Sequence, residues 1–110
     1  MPEKIKFGVF LPFYAFRNQD QSTNLFNQLK NTVQTCEQLG YDSVWIDDHL
    51  MLGTTPILEC WTTLSALASV TEKIKLGTMV TCNLFRNPAL LAKMVATLDN
   101  ISNGRIELGI

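Results

Sequence analysis

Charged and apolar positions alternate in three short segments that share one form: Lys4-Ile5-Lys6-Phe7-Gly8-Val9, Lys73-Ile74-Lys75-Leu76-Gly77-Thr78 and Arg105-Ile106-Glu107-Leu108-Gly109-Ile110. Charged, apolar, charged, apolar, glycine is a period of two, the spacing at which successive side chains leave opposite faces of a strand. A fourth short apolar run, Ser43-Val44-Trp45-Ile46, falls between the first two copies. Between these segments the period lengthens to that of a helix. Phe26, Leu29, Val33 and Cys36 mark a first helix, with Ser22 or Thr23 as its cap and Gly40 as its left-handed stop. A second follows Pro56 and is expected from about Ile57 to Val70, with Trp61, Leu64, Leu67 and Ala68 as its apolar stripe and Ser65 and Ala66 keeping the other side small. The third opens at Asn87-Pro88, a capping residue followed by proline at the first helical position, runs through Leu91, Met94, Val95, Leu98 and Ile101, and stops at Gly104. Strand and helix in strict alternation predict an α/β fold with a parallel sheet, a (βα)3β4 unit.

Two architectures compete for such a unit. Eight repeats of this length make roughly 250 residues, the usual size of a (βα)8 TIM barrel. The 110 residues then read as the first half of one, a single truncated domain over 1–110. A doubly wound nucleotide-binding sheet would carry a glycine-rich loop after its first strand, where this chain has Leu11-Pro12-Phe13-Tyr14. A response-regulator-like sheet would need acidic residues after the first and third strands. The pair Asp47-Asp48 follows the second, and Thr78-Met79-Val80-Thr81-Cys82 offers none. The pattern favours the half-barrel.

Composition adds exclusions. A net charge of −1 gives no basic face for nucleic acid or an anionic membrane surface. No apolar run is long enough to span a bilayer, and the N-terminus lacks the apolar core of a signal peptide. Cys36, Cys60 and Cys82 are odd in number with no CxxC pair, as expected of reduced thiols in a cytoplasmic protein.

Parallel α/β folds place their chemistry at the carboxyl ends of the strands. That rule gathers Leu11-Pro12-Phe13, Asp47-Asp48-His49 and Met79-Val80-Thr81-Cys82-Asn83. Two carboxylates and the chain's one histidine follow directly on Trp45-Ile46. They can serve acid–base chemistry, or simply pair to brace a loop. A metal site lacks a second histidine at ligand spacing, and no GxSxG supports a hydrolase. Cys82 reads first as a small buried apolar group, and Trp45 and Trp61 as core. Phe13, Tyr14 and Phe16 either wall an apolar substrate or pack their loop down.

Gly40-Tyr41-Asp42-Ser43-Val44-Trp45-Ile46-Asp47-Asp48-His49 resembles the second-strand motif of luciferase-like oxidoreductases. The resemblance continues through Glu59-Cys60-Trp61-Thr62-Thr63-Leu64-Ser65-Ala66-Leu67-Ala68 and Thr71-Glu72-Lys73-Ile74-Lys75-Leu76-Gly77-Thr78. Arg86-Asn87-Pro88-Ala89-Leu90-Leu91-Ala92-Lys93 and Leu98-Asp99-Asn100-Ile101-Ser102-Asn103-Gly104-Arg105 complete it, and the first 35 residues carry less of it. It implies a (βα)8 barrel using coenzyme F420 or, alternatively, FMN, with the motifs closer to the deazaflavin branch. It further implies hydride transfer to or from a small organic substrate, with Asp48 and His49 beside the reactive ring as catalytic and cofactor-binding residues and Asp47 as a possible orienter of the histidine. A non-proline cis peptide between Met79 and Val80 is implied behind the ring, with Thr81 and Cys82 next along the cofactor wall. Much of the phosphate-tail binding in the family comes from the later half of the barrel. A non-catalytic remnant, a subunit completed by a partner chain and an FMN-dependent monooxygenase are the other readings. A half-barrel also exposes two sheet edges, so self-association is expected, most simply as a homodimer.

Overall fold

Four parallel strands form one sheet in chain order: β1 (Gly8–Phe10), β2 (Ser43–Ile46), β3 (Lys75–Thr78) and β4 (Ile106–Glu107). The computed structural model describes residues 2–16 and 24–110. Three helices join the strands: α1 (Leu25–Gln38), α2 (Cys60–Ser69) and α3 (Pro88–Ile101). The expected caps Ser22 and Thr23 lie outside the described residues. Within them, Asn24 caps α1, its side chain accepting the Asn27 N–H at 2.8 Å. Gly40, at φ +85°, ends the helix as the sequence predicts, and the Tyr41 N–H returns to the Cys36 carbonyl at 3.1 Å.

Helix α2 starts three residues later than its pattern suggests. Ile57 and Leu58 pack against the core without being helical. The helix begins where the Glu59 carboxylate accepts the Trp61 and Thr62 N–H groups at 3.2 and 2.8 Å. Helix α3 keeps its expected bounds, although Ile101 is 59% exposed in its last turn. The strands are shorter than the alternating segments. Since β2 begins at Ser43, residues before Gly8 run past its start, and Ile5 and Phe7 stay 81% and 66% exposed.

Register sorts the two faces of the sheet. Val9, Val44, Leu76 and Ile106 lie side by side across all four strands and belong to or pack on the core that Leu29, Val33, Trp61, Leu64 and Leu67 complete from the helices. The neighbouring row is Phe10, Trp45, Gly77 and Glu107, on the opposite face. Trp45 is therefore not in the helix-side core, unlike Trp61. Its indole lies across the sheet between two glycines of the repeated motif. A Cβ on Gly77 would sit 2.4 Å from the ring, and one on Gly8 would sit 2.5 Å from the Ser43 hydroxyl that accepts the indole N–H. In the first two copies of that motif the glycine leaves the space that the tryptophan occupies.

The opposite end of the sheet is closed by two polar staples. Arg105, 9% exposed, donates to the carbonyls of Ala68, Thr71, Ile74 and Ser102 and to the Thr71 hydroxyl. The Glu37 carboxylate accepts the N–H groups of Glu72, Lys73 and Ile74, pinning the end of α1 to the turn before β3. Burial works to raise the Glu37 pKa, but these amides and the Arg105 charge more than offset it, leaving the group below the usual carboxylate range.

Candidate functional site

The backbone leaving β2 sends consecutive side chains in different directions, and the two aspartates part there. Asp47 Oδ1 accepts the Phe13 N–H at 3.3 Å, while its Oδ2 lies 3.5 Å from His49 Nε2 and has no hydrogen-bond partner among the described residues. The imidazole is half exposed. Asp48 turns inward, where its side chain is wholly buried. It takes a two-pronged contact from Arg86 at 2.7 and 2.9 Å and the Cys82 N–H at 2.8 Å. Arg86 also bonds the Glu59 carboxylate, the same group that caps α2. One chain of charges thus ties the loop after β2, the loop after β3 and the start of α2. Asp48 above all, and Glu59 with it, hold the guanidinium more firmly protonated, against the opposing effect of burial.

After β3 the Met79–Val80 peptide is cis, as the sequence resemblance implies. A compact network backs it. The Thr78 hydroxyl donates to the Gly109 carbonyl at 2.8 Å and accepts the Gly109 N–H and the Thr81 hydroxyl. The Thr81 N–H reaches the Gly109 carbonyl at 2.7 Å. Any Cβ on Gly109 would run into the Thr78 carbonyl. The bulge presents Met79 and Val80, 47% and 54% exposed, to one hollow of about 430 Å³ that Asp47, Asp48, His49, Cys82 and Phe85 also border.

Of the expected site residues, Asp48, His49, Met79, Val80 and Cys82 meet at this hollow. Thr81 does not line it; at 3% exposure it supports the bulge from behind. Phe13 is a core residue at 1% exposure and Phe16 packs on the core, so these two hold their loop down, whereas Tyr14 is 47% exposed. Cys36, Cys60 and Cys82 are free thiols; burial first, then the Asp48 and Glu59 charges, pushes Cys60 far up. The reading from sequence gave no role to Arg86, Glu59 or Phe85. The available signal was an arginine standing just before the Asn87-Pro88 cap, at the chemical end of β3.

The sequence profile of the luciferase-like monooxygenase family matches residues 5–110. This chain belongs to that family. Among its relatives is the F420-dependent glucose-6-phosphate dehydrogenase of Amycolatopsis mediterranei, 39% identical over 80 residues, a match covering 67% of this chain and 23% of the relative. The coenzyme F420-dependent tetrahydromethanopterin reductase of Methanopyrus kandleri superposes with a TM-score of 0.75 at 28% identity, covering 96% of this chain and 26% of that one. The oxygenating constituent of 3,6-diketocamphane monooxygenase from Pseudomonas putida, in complex with FMN, superposes at 0.83 with 25% identity, covering 97% of this chain and 29% of that one. This luciferase-like chain spans about a quarter of the length of the relatives it matches. Homologues of both cofactor types are thus present.

The hollow suits a flavin-type ring. It combines an apolar wall from Met79, Val80 and Phe85 with a polar edge at the Asp47–His49 pair, where one buried carboxylate oxygen has no donor among the described residues. A planar ring with apolar faces and polar edges needs both.

Proposed function

We propose that this chain supplies the ring side of the cofactor site in an oxidoreductase that moves a hydride between coenzyme F420 and a small organic substrate. The observation that carries the reading is the convergence of the Asp47–His49 pair and the Met79–Val80 bulge on one hollow at the carboxyl ends of the strands. When bound, the deazaflavin would supply the hydride chemistry. The chain's own residues position and protonate. The Asp47 carboxylate, 3.5 Å from Nε2, would orient the imidazole by its charge, which leaves Nδ1 of His49 for proton exchange with the substrate. Asp48 is a positioning residue, since its oxygens hold Arg86 and the Cys82 amide and thereby set the wall that carries Cys82. Turnover belongs to the complete barrel, because the family's tail-binding segments come from its later part.

The F420 branch is favoured by the 39% identity to an F420-dependent dehydrogenase. FMN-dependent monooxygenation is the second reading, supported by the FMN complex that superposes at 0.83. A fluorescence titration of the purified chain with F420, then with FMN, tests both. Saturable F420 binding, weakened about tenfold by Asp47→Ala through the loss of one oriented hydrogen-bonding group, is the expected result. Tighter binding of FMN would transfer the protein to the second reading. Absence of saturation with either ligand would reject the ring site.

A further inference from the structure

Apart from the His49 imidazole, Phe85 carries the one aromatic ring that borders the hollow among the described residues. The loop that presents it, 82–86, is anchored at both ends by a single carboxylate. Asp48 Oδ2 accepts the Cys82 N–H at 2.8 Å and one Arg86 prong at 2.7 Å, while Oδ1 accepts the other prong at 2.9 Å. Inside that bracket the Phe85 N–H turns back to the Cys82 carbonyl at 3.3 Å. The flanks are fixed as well. Before the loop, the Thr81 hydroxyl is tied to that of Thr78; after it, Asn87 caps α3 by accepting the Ala89 N–H at 2.9 Å. Leu84, one residue earlier, does not border the hollow.

Charges do this anchoring in a place where charge is costly. The Asp48 side chain is wholly buried and that of Arg86 is 9% exposed, with Glu59 as the third member. A buried ion pair adds little net stability over apolar packing, and its best-attested use is to fix one geometry. The geometry fixed here is that of a short loop whose side chain at 85 faces the hollow. A ring held so firmly has little freedom left to lose when a ligand settles on it. The rest of the apolar wall is aliphatic. Met79 and Val80 accept any apolar surface, whereas a phenyl ring favours a conjugated one, through offset stacking or edge-to-face contact.

We infer that Phe85 is the specificity-determining residue of this hollow, selecting a flat conjugated ring over an aliphatic ligand, and that Arg86 is the positioning residue that aims it. Phe85 has this role only where the hollow takes a ring, so the assignment rests on the ring-site reading. It goes further by giving the choice of ligand to one side chain and the placement of that side chain to another.

Titration of the full chain with F420, read by the ligand's fluorescence, tests both roles. Phe85→Ala should weaken binding about tenfold, as loss of a stacked aromatic contact does. Phe85→Leu restores most of the apolar area without the ring and should still weaken binding at least about threefold, whereas Phe85→Trp should stay within about twofold of wild type. Phe85 lies outside the helix-side core, so circular dichroism of these variants should match wild type. Arg86→Lys keeps the charge but loses the two-pronged grip on Asp48, and should weaken binding about threefold. In a Phe85→Ala background the same change should have no further effect, because Arg86 acts through that ring. With wild-type binding intact, a Phe85→Ala or Phe85→Leu chain that binds as tightly as wild type would overturn the role of Phe85. An Arg86→Lys effect of equal size in both backgrounds would overturn that of Arg86. Absence of saturable binding by the wild type would instead reject the ring site, and both roles with it.

Discussion

Asp47 and Asp48 are sequence neighbours that both border the hollow, and that single step decides which of them faces His49 and which holds Arg86. Asp48 is committed to Arg86, whose charge is itself nearly buried, so removing the carboxylate charge strands a cation. Asp48→Asn should lower the unfolding free energy by about 3 kcal/mol, read from urea denaturation; a loss within error would mean that Glu59 alone satisfies Arg86. Glu37 makes a prediction about acid. Its folded pKa is depressed, so its contribution is present above the unfolded value and fades as pH falls through the folded one. Wild-type melting temperature should therefore drop more steeply than that of Glu37→Gln below about pH 4.3, and parallel curves would contradict the assignment. The acidic pair and the histidine are legible in the sequence, but the division of labour between the aspartates is not. It depends on Arg86, which lies 38 residues from Asp48 and joins no periodic pattern.

Elements were legible where one local signal set their limits. Asn87-Pro88 and Gly40 fix α3 and α1 within the chain's own chemistry, whereas α2 takes its first residue from Glu59, a cap that also answers to Arg86. Strand lengths were overstated because alternation continues where no neighbour exists to pair. The glycine at the fifth position of each repeat was visible; its reason was not. Gly77 makes room for the Trp45 ring one strand away, so Gly77→Ala should destabilise by about 1–3 kcal/mol through overpacking. Combining it with Trp45→Ala should recover part of that loss, whereas strictly additive losses would show that the close approach carries no energy. Arg105 acts at the other end of the elements, capping carbonyls from α2, α3 and the turn before β3. Arg105→Met should cost about 3 kcal/mol by leaving those buried acceptors unpaired, measured by the same denaturation.

For the molecule as a whole, a (βα)3β4 sheet brings three separate loops to one end, and a family relationship over residues 5–110 sets the chain beside F420- and FMN-dependent relatives. The fold class was readable because strand and helix periods alternate without interruption. The order of the strands was readable from the repeat, while their register required the observed pairing of Val9, Val44, Leu76 and Ile106. The central claim is that the Asp47–His49 pair and the Met79–Val80 bulge form the ring side of a deazaflavin site. Backbone amide chemical shifts of labelled protein, followed as F420 is added, test it most directly. Saturable shifts concentrated at 47–49, 79–82 and 85 are the predicted result. Shifts centred on another part of the sheet, or none as the ligand reaches millimolar concentration, would contradict it.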